Sequence, residues 1–194
     1  MSDAARIDDF TENRRYTYAD YLEWEGPIRY ELINGEAFQM ASPSVAHQAL
    51  LMGLSTKFDV WLEGKPCKVF AAPLDVRLFP KKDKSDNTVM QPDLLVVCDN
   101  DKIDKNSING APDLIIEIAS PSNIHTELFR KFNYYLKAGV KEYWVVDPEL
   151  KKVVVHILEN DHYISSSYED SDHIPVTILP GLEIALADLW AKIP

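Results

Sequence analysis

The chain has 194 residues, of which 46% are hydrophobic and 26% charged, and it carries a net charge of −11. That length suffices for one domain with a proper core, and the composition is globular rather than disordered. The acidic balance excludes a protein that coats nucleic acid generally, and no apolar run approaches the ~20 residues a membrane span needs.

Residues 1–15, MSDAARIDDFTENRR, read as a flexible polar leader with no apolar signal segment, which points to the cytoplasm. Residues 16–194 read as a single domain. Thr17 is the expected N-cap of a short helix through Trp24, stopped by Gly26-Pro27. Residues 29–33 and 36–40 flank Asn34-Gly35, a strong hairpin signal. Glu31 lies in that hairpin, and its default reading is an exposed strand carboxylate.

Ser42 or Ser44 caps the next predicted helix, which runs to about Glu63 and ends at Gly64. Its apolar residues, from Val45 to Leu62, recur at helical spacing. His47 near its start reads as a solvated or capping side chain. Residues 68–72 and 74–79 are strand-like, expected as one strand bent at Pro73, with Asp75 and Arg77 opposite Leu74, Val76 and Leu78. Lys81, Lys82 and Lys84 form a small basic cluster, read as a solvated loop. Cys67 and Cys98 are isolated in apolar strands and read as reduced core residues.

The stretch 91–131 carries the chemistry. Two apolar runs, 94–98 and 114–118, each begin with Pro-Asp, and the second holds Glu117 in its interior. Period-2 alternation sets Asp113, Ile115, Glu117 and Ala119 on one face and Leu114, Ile116 and Ile118 on the other. A carboxylate in so apolar a strand is costly unless it is paired, protonated or metal-bound. The alternative reading is a strand-end carboxylate in contact with water. Asp93 starts the preceding strand, so pairing of the two strands brings the two acids together. A helix over 124–138 follows, burying Leu128, Phe132, Tyr135 and Leu136, with Lys131 on the flank of that stripe. Two acids and a lysine on such a unit suit a magnesium site.

Residues 142–146 form another strand, 153–158 and 162–168 a hairpin through Asn160-Asp161, and a helix over 185–190 nearly ends the chain. The expected fold is α/β: a mixed central sheet flanked by helices, with extra antiparallel strands at both ends. Signatures of zinc clusters, nucleophile elbows, P-loops and dinucleotide loops are all missing from the sequence.

Pro92-Asp93, Glu117 in an apolar strand and a lysine on the next helix together resemble the PD-(D/E)xK nuclease superfamily. The segments RYELINGE, PLDVRLF, QPDLLVV, PDLIIEIASPS and GVKEYWVVDP resemble its restriction-endonuclease ("Uma-two") family in particular, over about residues 16–158. The resemblance implies a restriction-endonuclease-like core and a metal-dependent endonuclease that hydrolyses phosphodiester bonds in nucleic acid, expected to be DNA. Asp93 and Glu117 would hold Mg²⁺, for which Mn²⁺ can substitute, with a strand carbonyl such as that of Ile118. Lys131 would replace the lysine that the parent pattern places two residues after the acid, where this chain has Ala119. Glu31 and Asp75 would support the site, Glu31 in catalysis and Asp75 as a ligand of another ion. Asp113 is too far along its strand from Glu117 to share an ion, roughly 13 Å at strand rise. A homodimer is the expected assembly. The competing reading is a dimeric interaction module on an eroded nuclease fold.

Overall fold

A computed structural model describes residues 14–120 and 124–194, with the side chains of 124–127 left aside. The predicted leader falls largely outside this range. Its last residue, Arg15, is tied to the hairpin turn, with Nη1 donating to the Asn34 carbonyl at 3.0 Å.

The elements in chain order are α1 (Tyr18–Tyr21), β1 (Tyr30–Ile33), β2 (Glu36–Gln39), α2 (Val45–Leu62), β3 (Lys68–Ala71), β4 (Asp75–Arg77), β5 (Val89–Met90) and β6 (Leu94–Val97). A short 3₁₀ turn (Asn100–Lys102) precedes β7 (Ser107–Asn109), β8 (Leu114–Ile118), α3 (Ile124–Ala138), β9 (Glu142–Asp147), β10 (Lys152–Glu159) and β11 (His162–Glu169). The chain closes with β12 (His173–Pro175), β13 (Glu183–Ala185) and α4 (Leu186–Trp190).

Local chemistry explains the starts and stops. Thr17 caps α1 through a capping box with Asp20, and Ser44 Oγ caps α2 by accepting from the His47 N–H. Asn34 and Gly35 take positive φ, as the tight β1–β2 turn requires.

Strands β11-β10-β9-β8-β6-β3 form a six-stranded sheet, and β2-β1-β5-β4-β7 form a separate five-stranded one. Mixed sheets flanked by helices agree with the expected α/β fold, whereas residues 68–79 are not one bent strand: β3 belongs to the first sheet and β4 to the second. The polypeptide changes sheets between them, at Pro73.

The six-stranded sheet is mixed, with β8 antiparallel to β6 and parallel to β9. Alternation along β8 holds as expected. Leu114, Ile116 and Ile118 pack under α2 and the C-terminal segment, whereas Ile115 packs with Val76, Met90 and Tyr135 against the second sheet and α3. Glu117 shares the face of Ile115.

The cysteines also differ from expectation. Cys67 and Cys98 form a disulfide that joins β3 to β6 at their outer ends. The two strands are antiparallel neighbours with Lys68 opposite Val97, so the cysteines one step further along face each other across the ladder. That juxtaposition is created by the pairing and carries no signature in the sequence.

Candidate active site

The pairing of β6 with β8 sets Leu94 opposite Ile116, and one step further along it sets Asp93 opposite Glu117. The Ile118 N–H donates to Asp93 Oδ2 at 2.7 Å, which ties the start of β6 to the end of β8. On its other side, Asp93 Oδ1 stands 3.1 Å from His47 Nε2 on the first turn of α2.

Glu117 is buried, and α3 supplies its partners. Lys131 Nζ stands 3.1 Å from Glu117 Oε1, and Tyr135 Oη donates to the same oxygen at 2.6 Å. Lys131 and Tyr135 are four residues apart, so one helical face carries both donors down onto the strand. They are the two fully buried residues among the described side chains of α3, and Lys131 is only 3% exposed.

Lys131 also donates to Glu31 Oε1 at 2.9 Å, and that oxygen accepts the Gln91 N–H at 2.8 Å. The default reading of Glu31 as an exposed carboxylate is thus overturned. Glu31 is 2% exposed, because the second sheet packs its residue 31 face toward α3. Asp75 takes a different place. Its Oδ1 accepts from Tyr21 Oη at 2.8 Å and Gln91 Nε2 at 2.9 Å, and it does not line the cavity above the acids. It joins the cluster only through Gln91, whose backbone reaches Glu31. Asp113 lies at the far end of β8, accepting from the Cys98 N–H and pairing with Lys141. Lys81, Lys82 and Lys84 are exposed and away from the acids.

A cavity of about 420 Å³ opens over this cluster, lined among others by Arg29, His47, Gln91, Asp93, Glu117 and Lys131. Glu31 and Glu117 both meet Lys131, and Asp93 stands beside Glu117 across the ladder, so acidic groups are in excess around the lysine. Burial pushes the Glu117 carboxyl up to about 8, and the charges of Asp93 and Glu31 add to the rise against the pull of Lys131 and Tyr135. A divalent cation offsets that excess, and hard carboxylate oxygens are the donors magnesium prefers. The residues therefore fit such an ion. Among the described residues no three His, Cys, Asp or Glu side chains cage a metal alone. Water or phosphate oxygens would complete the shell, as magnesium sites commonly require.

Of the residues expected at the site, the structure brings Asp93, Glu117, Lys131 and Glu31 together and holds Asp75 at one remove. His47, Tyr135 and Gln91 were not anticipated there. Tyr135 had a legible signal, its place four residues after Lys131. His47 had none, because only tertiary packing brings the start of α2 to Asp93.

The sequence model of the Uma2 family, described as "Putative restriction endonuclease", matches residues 18–187. The chain belongs to this family. An uncharacterized protein of Synechocystis sp. is 24% identical to this Uma2 chain over 171 residues, covering 86% of it and 87% of the relative. The crystal structure of a protein from Anabaena variabilis, titled a putative nuclease belonging to DUF820, superposes with a TM-score of 0.75 at 20% identity. That match covers 92% of this chain and 99% of the other, and it shows that the two share a fold. The nuclease-like α/β architecture is thereby established for this Uma2 member.

Proposed function

We propose that this Uma2 protein is a divalent-metal-dependent endonuclease acting on DNA, with Mg²⁺ as the resident ion and Mn²⁺ able to replace it. The observation that carries this reading is the convergence of Asp93, Glu117 and Lys131, from two strands and a helix, beneath one cavity. Membership of the family favours DNA as the substrate.

Asp93 and Glu117 would hold the ion. A divalent ion there supplies Lewis acidity at the phosphodiester and favours ionisation of the attacking water. Lys131 places a positive charge at the cluster, suited to stabilising negative charge as the phosphorus becomes five-coordinate. The Gln91 N–H holds Glu31, whose Oε1 in turn accepts from the lysine head, and Tyr135 fixes Glu117 Oε1. Arg29 on the cavity wall adds a second cation for the phosphate backbone.

No described helix is long and apolar enough to cross a membrane. A cytoplasmic location belongs to the proposal because that is where the substrate lies. Homodimerisation belongs to it as well, and exposed Val45, Met52 and Val60 on the outer side of α2 offer apolar surface for it.

The test is single-turnover cleavage of plasmid and oligonucleotide DNA with Mg²⁺ or Mn²⁺. Cleavage by wild type, lost in Asp93→Ala and Glu117→Ala, is the expected result. An inactive wild type under all these conditions would overturn the reading.

A further inference from the structure

We infer that His47 is a positioning residue that fixes the Asp93 carboxylate for the ion, an assignment that rests on the metal-dependent reading above. The contact is direct: His47 Nε2 lies 3.1 Å from Asp93 Oδ1, while Asp93 Oδ2 is held by the Ile118 N–H. Each oxygen of the carboxylate thus has one anchor, which sets the plane of the group and leaves its remaining lone pairs available. Carboxylates that bind metals are oriented in this way by hydrogen-bonded neighbours.

Burial supplies a second observation. His47 is 7% exposed and lines the cavity, yet its Nδ1 is buried without a hydrogen-bond partner. Buried polar atoms are nearly always paired, and exceptions gather at functional sites. Among the described residues, the polar contact of this ring is the 3.1 Å approach of Nε2 to Asp93 Oδ1. The backbone prepares the placement: Ser44 Oγ accepts the His47 N–H at 3.1 Å, so the cap of α2 holds the residue whose ring meets Asp93. The nearby acids and bases that bear on this arrangement are Asp93 and Glu117 from the sheet, Glu31 from β1, Lys131 from α3 and Arg29 on the cavity wall.

Two substitutions separate donation from packing. His47→Leu fills the space without a donor, whereas His47→Gln retains an N–H that can reach the carboxylate. Mn²⁺ affinity is measured by titration calorimetry on the full chain, with melting temperature as the control for folding. His47→Leu should weaken Mn²⁺ binding by about tenfold or more, the size of effect seen when a ligand's outer partner is lost. His47→Gln should recover most of that loss. Wild-type affinity in His47→Leu overturns the assignment. Failure of both variants alike overturns it too, since the ring nitrogen would then be a ligand itself. The metal-free protein gives an independent readout: the ring Nε2–H resonance of wild type should be lost in Asp93→Ala, and a ring protonated on Nδ1 alone refutes the contact. A wild type that binds no Mn²⁺ fells the metal reading and this assignment together, whereas binding lost in Asp93→Ala but kept in His47→Leu fells this assignment alone.

Discussion

The ammonium of Lys131 stands 3.1 Å from Oε1 of Glu117, reaching the strand carboxylate from the helix that follows it. The strand position two residues after the acid is Ala119, itself buried. The positive charge beside the Glu117 carboxylate therefore comes from α3 and not from β8 itself.

Replacing Lys131 should therefore affect rate and stability differently. In Lys131→Ala, cleavage should fall ~100-fold or more, as when one electrostatic catalytic group is lost. Mn²⁺ binding should survive, because the oxygen ligands are intact. Stability should also drop, since Glu31 loses the cation it meets in a buried site and Glu117 loses a hydrogen-bonding partner. Lys131→Arg should rescue little, because a planar guanidinium does not reproduce a compact ammonium. Single-turnover kinetics and denaturant titration check the two effects separately.

Glu117 gives the protein a pH signature. Its folded carboxyl sits at about 8 against an ordinary 4.5, chiefly because it is buried. A raised value means that the folded state favours the proton. The stability this contributes is complete below the ordinary glutamate range and is lost as the pH rises through about 8. Without metal, the wild-type melting temperature should fall relative to Glu117→Gln across that window. Mn²⁺ affinity should rise over the same window, since binding must displace the proton. A wild-type curve parallel to that of Glu117→Gln would contradict this.

Much of the architecture was legible because it is local. Asn34-Gly35 announces its hairpin, Ser44 and Gly64 bracket α2, and alternation along residues 113–119 puts Glu117 on the face where the structure has it. What escaped was decided at long range. The burial of Glu31 depends on a lysine 100 residues away, and the division of 68–79 between two sheets depends on which neighbours each half finds. The disulfide likewise follows from the pairing of β3 with β6, which no spacing of two cysteines reveals.

Tyr135 should matter beyond its packing. Tyr135→Phe keeps the ring but removes the donor to Glu117 Oε1, costing about 1 kcal/mol as the net worth of one hydrogen bond. The loss of that donor should also shift the Glu117 titration upward and weaken Mn²⁺ binding at neutral pH. Calorimetry at two pH values distinguishes this from a purely structural defect, which would lower stability with no change in the pH midpoint.

Binding of DNA must overcome an overall charge of −11 through a few local cations. Affinity should accordingly fall steeply with salt. Fluorescence anisotropy of labelled duplex and single-stranded probes, with Asp93→Ala to prevent the expected cleavage, measures the slope. A salt-independent affinity would show that phosphate contacts do not carry the binding.

The division of the cluster between two sheets has a consequence for the life of the chain. Glu31 comes from the five-stranded sheet and Asp93 and Glu117 from the six-stranded one, while Lys131 lies on the helix that meets both. Each layer alone carries only part of the cluster, so the four side chains meet only once both sheets and α3 have docked. On the reading proposed above, hydrolysis would begin only in a molecule whose two layers and α3 have docked.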